Sequence, residues 1–300
     1  MEQAATISDN AGVAGNAWQG ALQRECELLR GNTNVLSQLV AAGDDGRFSD
    51  EAVAHVRAMI FDLARQSFGG QDGNSSGTDK LAEKLRSSPE LLYQCHALAL
   101  EWKLTVSLDI EAGIDPVLSP FVQSLIATAG DHAMQLIAAQ ARYVEQQRRM
   151  ALPLSELPAE LLNAVLLARR NVAGTSNDLL EASIRRGFDE TNTRLNRLRR
   201  LVATTKADPN ALLDVAHAGV AVFLTALANR SGFSREDVVL FCHIGDGTQL
   251  ALALRAAGCD SRAINRIMLM LRHDFEADAA FDTVSKEEAG ALLAEQGVNG

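Results

Sequence analysis

The chain has 300 residues, of which 47% are hydrophobic, 22% are charged and 5% are aromatic. This composition excludes fibrous, collagen-like and wholly disordered chains, and the low aromatic content argues against an all-β fold. The formal net charge of -10 repels nucleic acid and anionic lipid at long range. We therefore expect a globular helical protein that binds no membrane and for which nucleic acid is a poor partner.

The charge is unevenly distributed along the chain. Residues 1–141 carry 9 basic and 18 acidic side chains, residues 142–206 carry 12 and 7, and residues 207–300 carry 7 and 13. The middle of the chain is therefore basic and both flanks are acidic. A local basic face of this kind predicts contact with a phosphate or an acidic partner.

Apolar residues at helical spacing predict a series of helices in the first half of the chain. Residues 1–15 are small and polar and predict a disordered arm. The predicted helices that follow cover residues 16–30, 32–43, 49–69, 79–86, 89–108 and 120–150. The run GGQDGNSSGT at 69–78 predicts a flexible loop, and Gly130 followed by Asp131 indicates a stop and a new cap.

Two prolines in ALPLSELP, residues 151–158, predict a change of chain direction and a domain boundary. Past this segment, periodicity predicts helices over residues 158–172, 176–204, 234–243, 248–257, 260–272 and 285–296, and one or two helices over residues 208–230. The predicted organisation is an N-terminal helical subdomain over 16–150, a helical-repeat subdomain over 151–274, and an acidic tail with a short helix over 275–300.

Two helix-turn-helix units align when Gly232 is placed over Gly258, an offset of about 26 residues. Ser234 then meets Asp260, each as a helix cap. Short helix pairs that bury one face each are stabilised by stacking on neighbours. The prediction is an all-α fold, an irregular helical array of the α-solenoid type, with a helical bundle in two subdomains as the alternative.

Two segments carry a resemblance to a known family. The run AGVAVFLTALANRSGFSREDVVLFCHIGDGTQLALALRAAGCDSRAINRIMLML at 218–271 resembles a bacterial family of uncharacterised, all-helical, HEAT-like repeat proteins. The run QQRRMALPLSELPAELLNAVLLA at 146–168 is also similar to members of it. The resemblance implies stacked helical repeats in the C-terminal half and provides no catalytic residues.

A basic helix is predicted over residues 176–204. On a helical wheel its apolar residues form one stripe, and Arg186, Arg197 and Arg200 fall opposite that stripe. Arg185 and Arg194 flank them. Guanidinium groups placed together in this way predict a binding surface for a protein with an acidic surface, and the alternative is a solvated polar face.

A second candidate site lies near Cys95, His96 and Glu101. A buried carboxylate beside them would have acid–base potential, whereas a solvated helix edge is the alternative for Glu101. Neighbouring residues on a helix point about 100° apart, so Cys95-His96 and Cys242-His243 predict buried cysteines rather than a metal site. The segment HIGDGTQL at 243–250 could hold an anion on helix amides, or could be a simple turn.

These features together favour a non-catalytic helical scaffold or adaptor that mediates protein–protein interaction. Two alternatives are a helical domain that binds a small molecule or metal, with or without enzymatic activity, and a self-association module. No cofactor is predicted. Four separated cysteines and the lack of a basic, apolar leader predict a cytoplasmic location.

Overall fold

The computed structural model describes residues 20–28, 50–70, 75–173, 179–206, 208, 210–243, 245–271, 273, 277 and 281–295. All regular structure in this part of the chain is helical, which confirms the predicted all-α helical array. The predicted arm at 1–15 and the predicted helix at 32–43 lie outside the described residues. No helix within the described ranges is both long enough and apolar enough to cross a membrane.

The helices are numbered in chain order, with residues 20–28 forming α1. In the first half they are α2 (Asp50–Ser67), α3 (Ser75–Leu85), α4 (Pro89–Ala112), α5 (Pro120–Arg148), α6 (Ala159–Ala173), α7 (Leu179–Gly187) and α8 (Arg194–Thr204). In the second half they are α9 (Val215–Ala218), α10 (Val220–Ser231), α11 (Arg235–Phe241), α12 (Thr248–Ala256), α13 (Ser261–Met270) and α14 (Lys286–Glu295).

The chain divides into two compact units. The central unit comprises residues 33–205 with 219–221, and the terminal unit comprises residues 1–32, 206–218 and 222–300. The segment 151–158, at which the sequence predicts a boundary, lies inside the central unit, where Leu152, Leu154 and Leu157 are buried. These leucines explain the difference. The prolines change the direction of the chain, as predicted, but the leucines beside them pack into the core of the central unit.

The core of the central unit is formed mainly by α2, α3, α4 and α6, with part of α5 and of the 151–158 segment. Fully buried members from α2 include Val56, Met59, Ile60 and Leu63. The helix α4 is buried on most of its circumference. Its first turn is capped by the Ser88 hydroxyl, which accepts from the Leu91 amide, with Pro89 at the first helical position.

Two predicted element boundaries need correction. The predicted helix 176–204 is two helices, because α7 ends at Gly187 and α8 begins only at Arg194. Between them Asp189 accepts from the Thr191 amide and Thr193 caps α8 by accepting from the Asn196 amide, and such local bonds compete with helix formation. The predicted loop at 69–78 is shorter, since α3 begins at Ser75. The predicted stop at Gly130 is confirmed, because its φ of 45° and ψ of -117° are not helical and α5 consists of two helical segments that meet there at a kink.

The terminal unit surrounds α12, whose residues Leu250 to Leu254 are fully buried and which packs against α14, α13 and α11. Both caps of the predicted repeat are confirmed. Ser234 accepts from the Asp237 amide and Asp260 accepts from the Ala263 amide. A capping box precedes α14, in which the Ser285 amide donates to the Glu288 carboxylate and the Glu288 amide donates to the Ser285 hydroxyl.

Candidate functional site

A cleft of about 310 Å³ lies between the second half of α5 and the C-terminal part of α8, within the central unit. Ala133, Leu136 and Leu201 give it apolar walls. Its polar lining consists of His132, Arg197, Arg200 and Thr204. Two of the arginines that the sequence predicts to act together therefore line one concave site.

The Arg197 guanidinium is fixed in place at this cleft. Its Nε donates to the Asn192 carbonyl at 3.0 Å, its Nη2 donates to Asn192 Oδ1 at 2.7 Å, and its Nη1 donates to Gln135 Oε1 at 2.6 Å. All three acceptors are neutral, so these bonds orient the positive charge of Arg197 without forming an ion pair, although that charge also attracts the nearby Asp189 carboxylate. A partner carboxylate would meet a cation that is already positioned.

The second arginine, Arg200, is exposed one helical turn further along α8. Its guanidinium forms no ion pair or hydrogen bond with the described residues, and only its backbone carbonyl is bonded, to the Thr204 hydroxyl. The charge of this arginine is therefore available to a partner. Arg197 and Arg200 are three residues apart, a spacing that places both side chains on one side of α8.

The start of α8 is anchored by a buried ion pair. Arg194 donates from Nη2 to Glu101 Oε2 at 2.9 Å and from Nη1 to Glu101 Oε1 at 3.0 Å, and Nη1 also donates to Gln140 Oε1 at 3.1 Å. The guanidinium carbon lies 3.6 Å from the Tyr143 ring centroid. Arg194 is 2% exposed and Glu101 is 0% exposed, so the pair links α8 to α4 and α5.

This pair corrects the predicted placement of two residues. The sequence predicts Arg194 beside the exposed arginine face, but its side chain faces the interior, because α8 begins at Arg194 and does not continue the helical wheel of α7. Glu101 is neither at a solvated helix edge nor open to a ligand, because both carboxylate oxygens accept from Arg194. Asp109 and Glu111, further along α4, are exposed.

The remaining two predicted arginines lie on α7, apart from the cleft lining. Arg185 donates from Nε to Glu181 Oε1 at 2.8 Å and from Nη1 to Asn163 Oδ1 at 2.6 Å. Arg170 also pairs with Glu181, and together with Arg185 it lowers the pKa of that carboxyl to about 2. Arg186 is exposed. The break between α7 and α8 explains this separation, because a single helical wheel does not describe residues on two helices.

Cys95 and His96 are buried in α4. Burial raises the pKa of the Cys95 thiol to about 12 and lowers the pKa of the His96 imidazole to about 4. A thiol with such a pKa is protonated at neutral pH and is a poor nucleophile and metal ligand. In the described part of the chain, no three or more His, Cys, Asp or Glu side chains are grouped so that they could hold a metal ion.

A buried carboxylate that the sequence does not reveal lies in the terminal unit. Glu25 of α1 accepts from the amides of Gly247 at 3.0 Å, Thr248 at 3.1 Å and Gln249 at 2.8 Å, at the start of α12. The amides of HIGDGTQL thus do hold an anion, and it comes from the same chain. The glycine-rich turn is a sequence signal for the amide half of this site. Nothing in the sequence points to Glu25 as the other half, since more than two hundred residues separate it from the turn.

No family model matches the chain, and neither a curated protein nor a solved structure matches it. The resemblance of residues 218–271 to HEAT-like repeat proteins therefore stays a prediction.

Proposed function

We propose that the protein is a non-catalytic, cytoplasmic helical adaptor that recognises another protein through the cleft between α5 and α8. The observation that carries the proposal is the convergence of Arg197 and Arg200 on one cleft with apolar walls. Neither cation forms an ion pair with a carboxylate of the described residues, although Arg197 attracts the nearby Asp189 carboxylate. Concave sites with apolar walls and a few placed polar groups are the usual form of binding sites.

The chemistry of the cleft indicates the chemistry of its partner. A volume of about 310 Å³ is at the lower end of the range for ligand pockets and suits one or two side chains of a protein segment. Ala133, Leu136 and Leu201 favour an aliphatic or aromatic side chain, whereas Arg197 and Arg200 favour a carboxylate. We therefore expect the partner to present an acidic residue next to an apolar one.

The experiment compares partner capture by three forms of the full chain. The first is the wild type, the second carries Arg197→Glu and Arg200→Glu, and the third carries Arg186→Glu, which changes the charge of an exposed arginine on α7, outside the cleft. Proteins retained from lysate of the source cells are identified at low and moderate salt, because exposed charge pairs weaken with ionic strength.

The partner is then titrated directly against each form. We expect the cleft variant to lose at least about tenfold in affinity, with the Arg186→Glu form close to the wild type. Thermal unfolding curves check that all three forms are folded. Equal affinity of the wild type and the cleft variant would contradict the proposal, and so would recovery of the chain alone as a stable oligomer.

A further inference from the structure

A second cavity, of about 300 Å³, lies within the terminal unit, where residues 210–214 meet α13 and the turn before it. The buried side chains of Leu213 and Ile267 contribute apolar lining. The volume is at the lower end of the range for ligand pockets and suits a molecule of about the size of one amino acid. This cavity shares no residue with the cleft between α5 and α8, so its role is independent of the proposed function.

Charged side chains of both signs line this cavity. Arg262 and Arg266 are four residues apart on α13, a spacing that places both on one side of the helix. Asp214 directly precedes α9, and Asp260 directly precedes α13. Within the described ranges, none of the four forms an ion pair. Two cations and two anions therefore line one cavity without pairing with one another.

The two aspartates are held in place by backbone amides. Asp214 Oδ1 accepts from the Ala216 amide at 3.1 Å, and Asp260 Oδ1 accepts from the Ala263 amide at 2.8 Å. The Oδ2 atom of each aspartate forms no hydrogen bond with the described residues. Each carboxylate is therefore oriented by one oxygen and retains the other as an acceptor.

Three further groups surround these charges. Burial raises the pKa of the Cys259 thiol to about 11, so at neutral pH this thiol carries no charge that would pair with Arg266. The Arg230 guanidinium adds positive charge beside Gly258, where an added Cβ would lie 3.3 Å from Arg230 Nη2. Asn210 contributes an amide to the lining, which can both donate and accept. The cavity thus offers donors to an anionic group and acceptors to a cationic one.

We propose that this cavity binds a free α-amino acid with an apolar side chain. The guanidinium groups of Arg262 and Arg266 bind its carboxylate. The carboxylates of Asp214 and Asp260 bind its ammonium group, and its side chain packs on the apolar lining. A ligand with a single charge would be repelled by the like charges of the cavity, whereas a zwitterion is attracted by both sets.

Calorimetric titration of the full chain with L-valine, L-leucine, L-isoleucine and L-methionine tests the proposal. We expect at least one of them to bind saturably, with one molecule per chain. The tightest is then compared with two analogues, one without the ammonium group and one without the carboxylate. For L-leucine these analogues are 4-methylpentanoate and 3-methylbutylamine. Each analogue should bind at least about tenfold more weakly, because it loses hydrogen bonds between charged groups.

Two variants assign binding to the cavity. Arg266→Gln removes one of the cations, and Asp214→Asn removes one of the anions but keeps an oxygen that can accept from the Ala216 amide. We expect each to lower the affinity at least about tenfold. The control is Lys286→Gln, which changes an exposed cation on α14 outside the lining and should bind like the wild type. Thermal unfolding without ligand checks that each form is folded.

Three results overturn the proposal. The first is that none of the four amino acids binds at about 1 mM. The second is that the analogue without the ammonium group binds as tightly as the amino acid itself. The third is that a folded Arg266→Gln or Asp214→Asn form binds like the wild type. If one of these variants does not fold, the other variant and the two analogues decide the outcome.

Discussion

Arg194 and Glu101 form a two-pronged ion pair in the interior of the central unit, across 93 residues of sequence. Both partners are almost completely buried, so neither charge can be solvated by water if the other is removed. A buried charge left without its partner costs far more than an exposed one. The pair therefore makes the position of α8, and with it the position of the cleft, sensitive to a change at either residue.

The first prediction concerns this pair. Arg194→Ala leaves the Glu101 carboxylate buried without its counter-ion, and we expect it to lower the free energy of unfolding by about 3–5 kcal/mol. Urea unfolding followed by circular dichroism measures the change. The matched control is Arg149→Ala, which breaks an exposed pair with Glu145 and should have little effect. If both variants lowered the free energy of unfolding by a similar amount, the burial of the Arg194–Glu101 pair would not explain its contribution to stability.

A second prediction concerns acid stability at Glu181. Arg170 and then Arg185 lower the pKa of this carboxyl from 4.5 to about 2. Its stabilising contribution is present above about pH 4.5 and is lost as pH falls through 2. Glu181→Gln should therefore melt below the wild type at pH 6, and the gap should close as the pH approaches 2. A gap in the melting temperature that is the same at pH 6 and at pH 2 would contradict the assignment.

The third prediction compares two glycines of the terminal unit. Gly247 has φ +95°, and an added Cβ would press on Met268 and on His273, so Gly247→Ala should destabilise the protein by roughly 1–3 kcal/mol. Gly290 lies inside α14, and an added Cβ there meets nothing within 4 Å. Gly290→Ala should instead stabilise by roughly 0.5–1 kcal/mol. Denaturant unfolding of both variants should give changes of opposite sign, and changes of equal sign would contradict this account.

The fourth prediction concerns the thiols. Burial raises the pKa values of Cys95 and Cys242 to about 12 and that of Cys259 to about 11. At pH 8 the folded protein should react with a maleimide roughly a hundredfold more slowly at Cys95 and Cys242 than the urea-unfolded chain does. Mass spectrometry of peptides after timed labelling measures each site. Rapid labelling of Cys95 in the folded protein would contradict this prediction and would show that the Cys95 thiol is reactive.

Local signals in the sequence predict much of the helical structure. Ser234 and Asp260 are recognisable as caps from the sequence, because a capping side chain and the amide that it accepts from lie within a few residues. The break between α7 and α8 was missed, since apolar residues continue at helical spacing on both sides of Thr193. Asp189 and Thr193 form hydrogen bonds from short polar side chains to nearby backbone amides, and these bonds compete with the helix. The spacing of apolar residues contains no information on such bonds.

The candidate sites show where sequence reasoning stops. Arg197 and Arg200 could be predicted together because they are three residues apart on one helix. The partners of Arg194 and Glu25 lie 93 and more than two hundred residues away, and pairing at such distances depends on how helices pack. Composition and spacing give no information on that packing, so a buried arginine and an exposed one look alike in the sequence.

The hydrogen bonds that fix Arg197 have a consequence for conformational entropy. A free arginine loses rotamer freedom when it binds, at a cost of about 0.5–1.5 kcal/mol per side chain. Asn192 and Gln135 already restrict Arg197 in the absence of a partner, so this loss occurs on folding. When a partner binds, Arg200 is then the only one of the two arginines whose side chain loses rotamer freedom. Removing the Gln135 amide should therefore weaken binding through entropy, although Gln135 does not line the cleft.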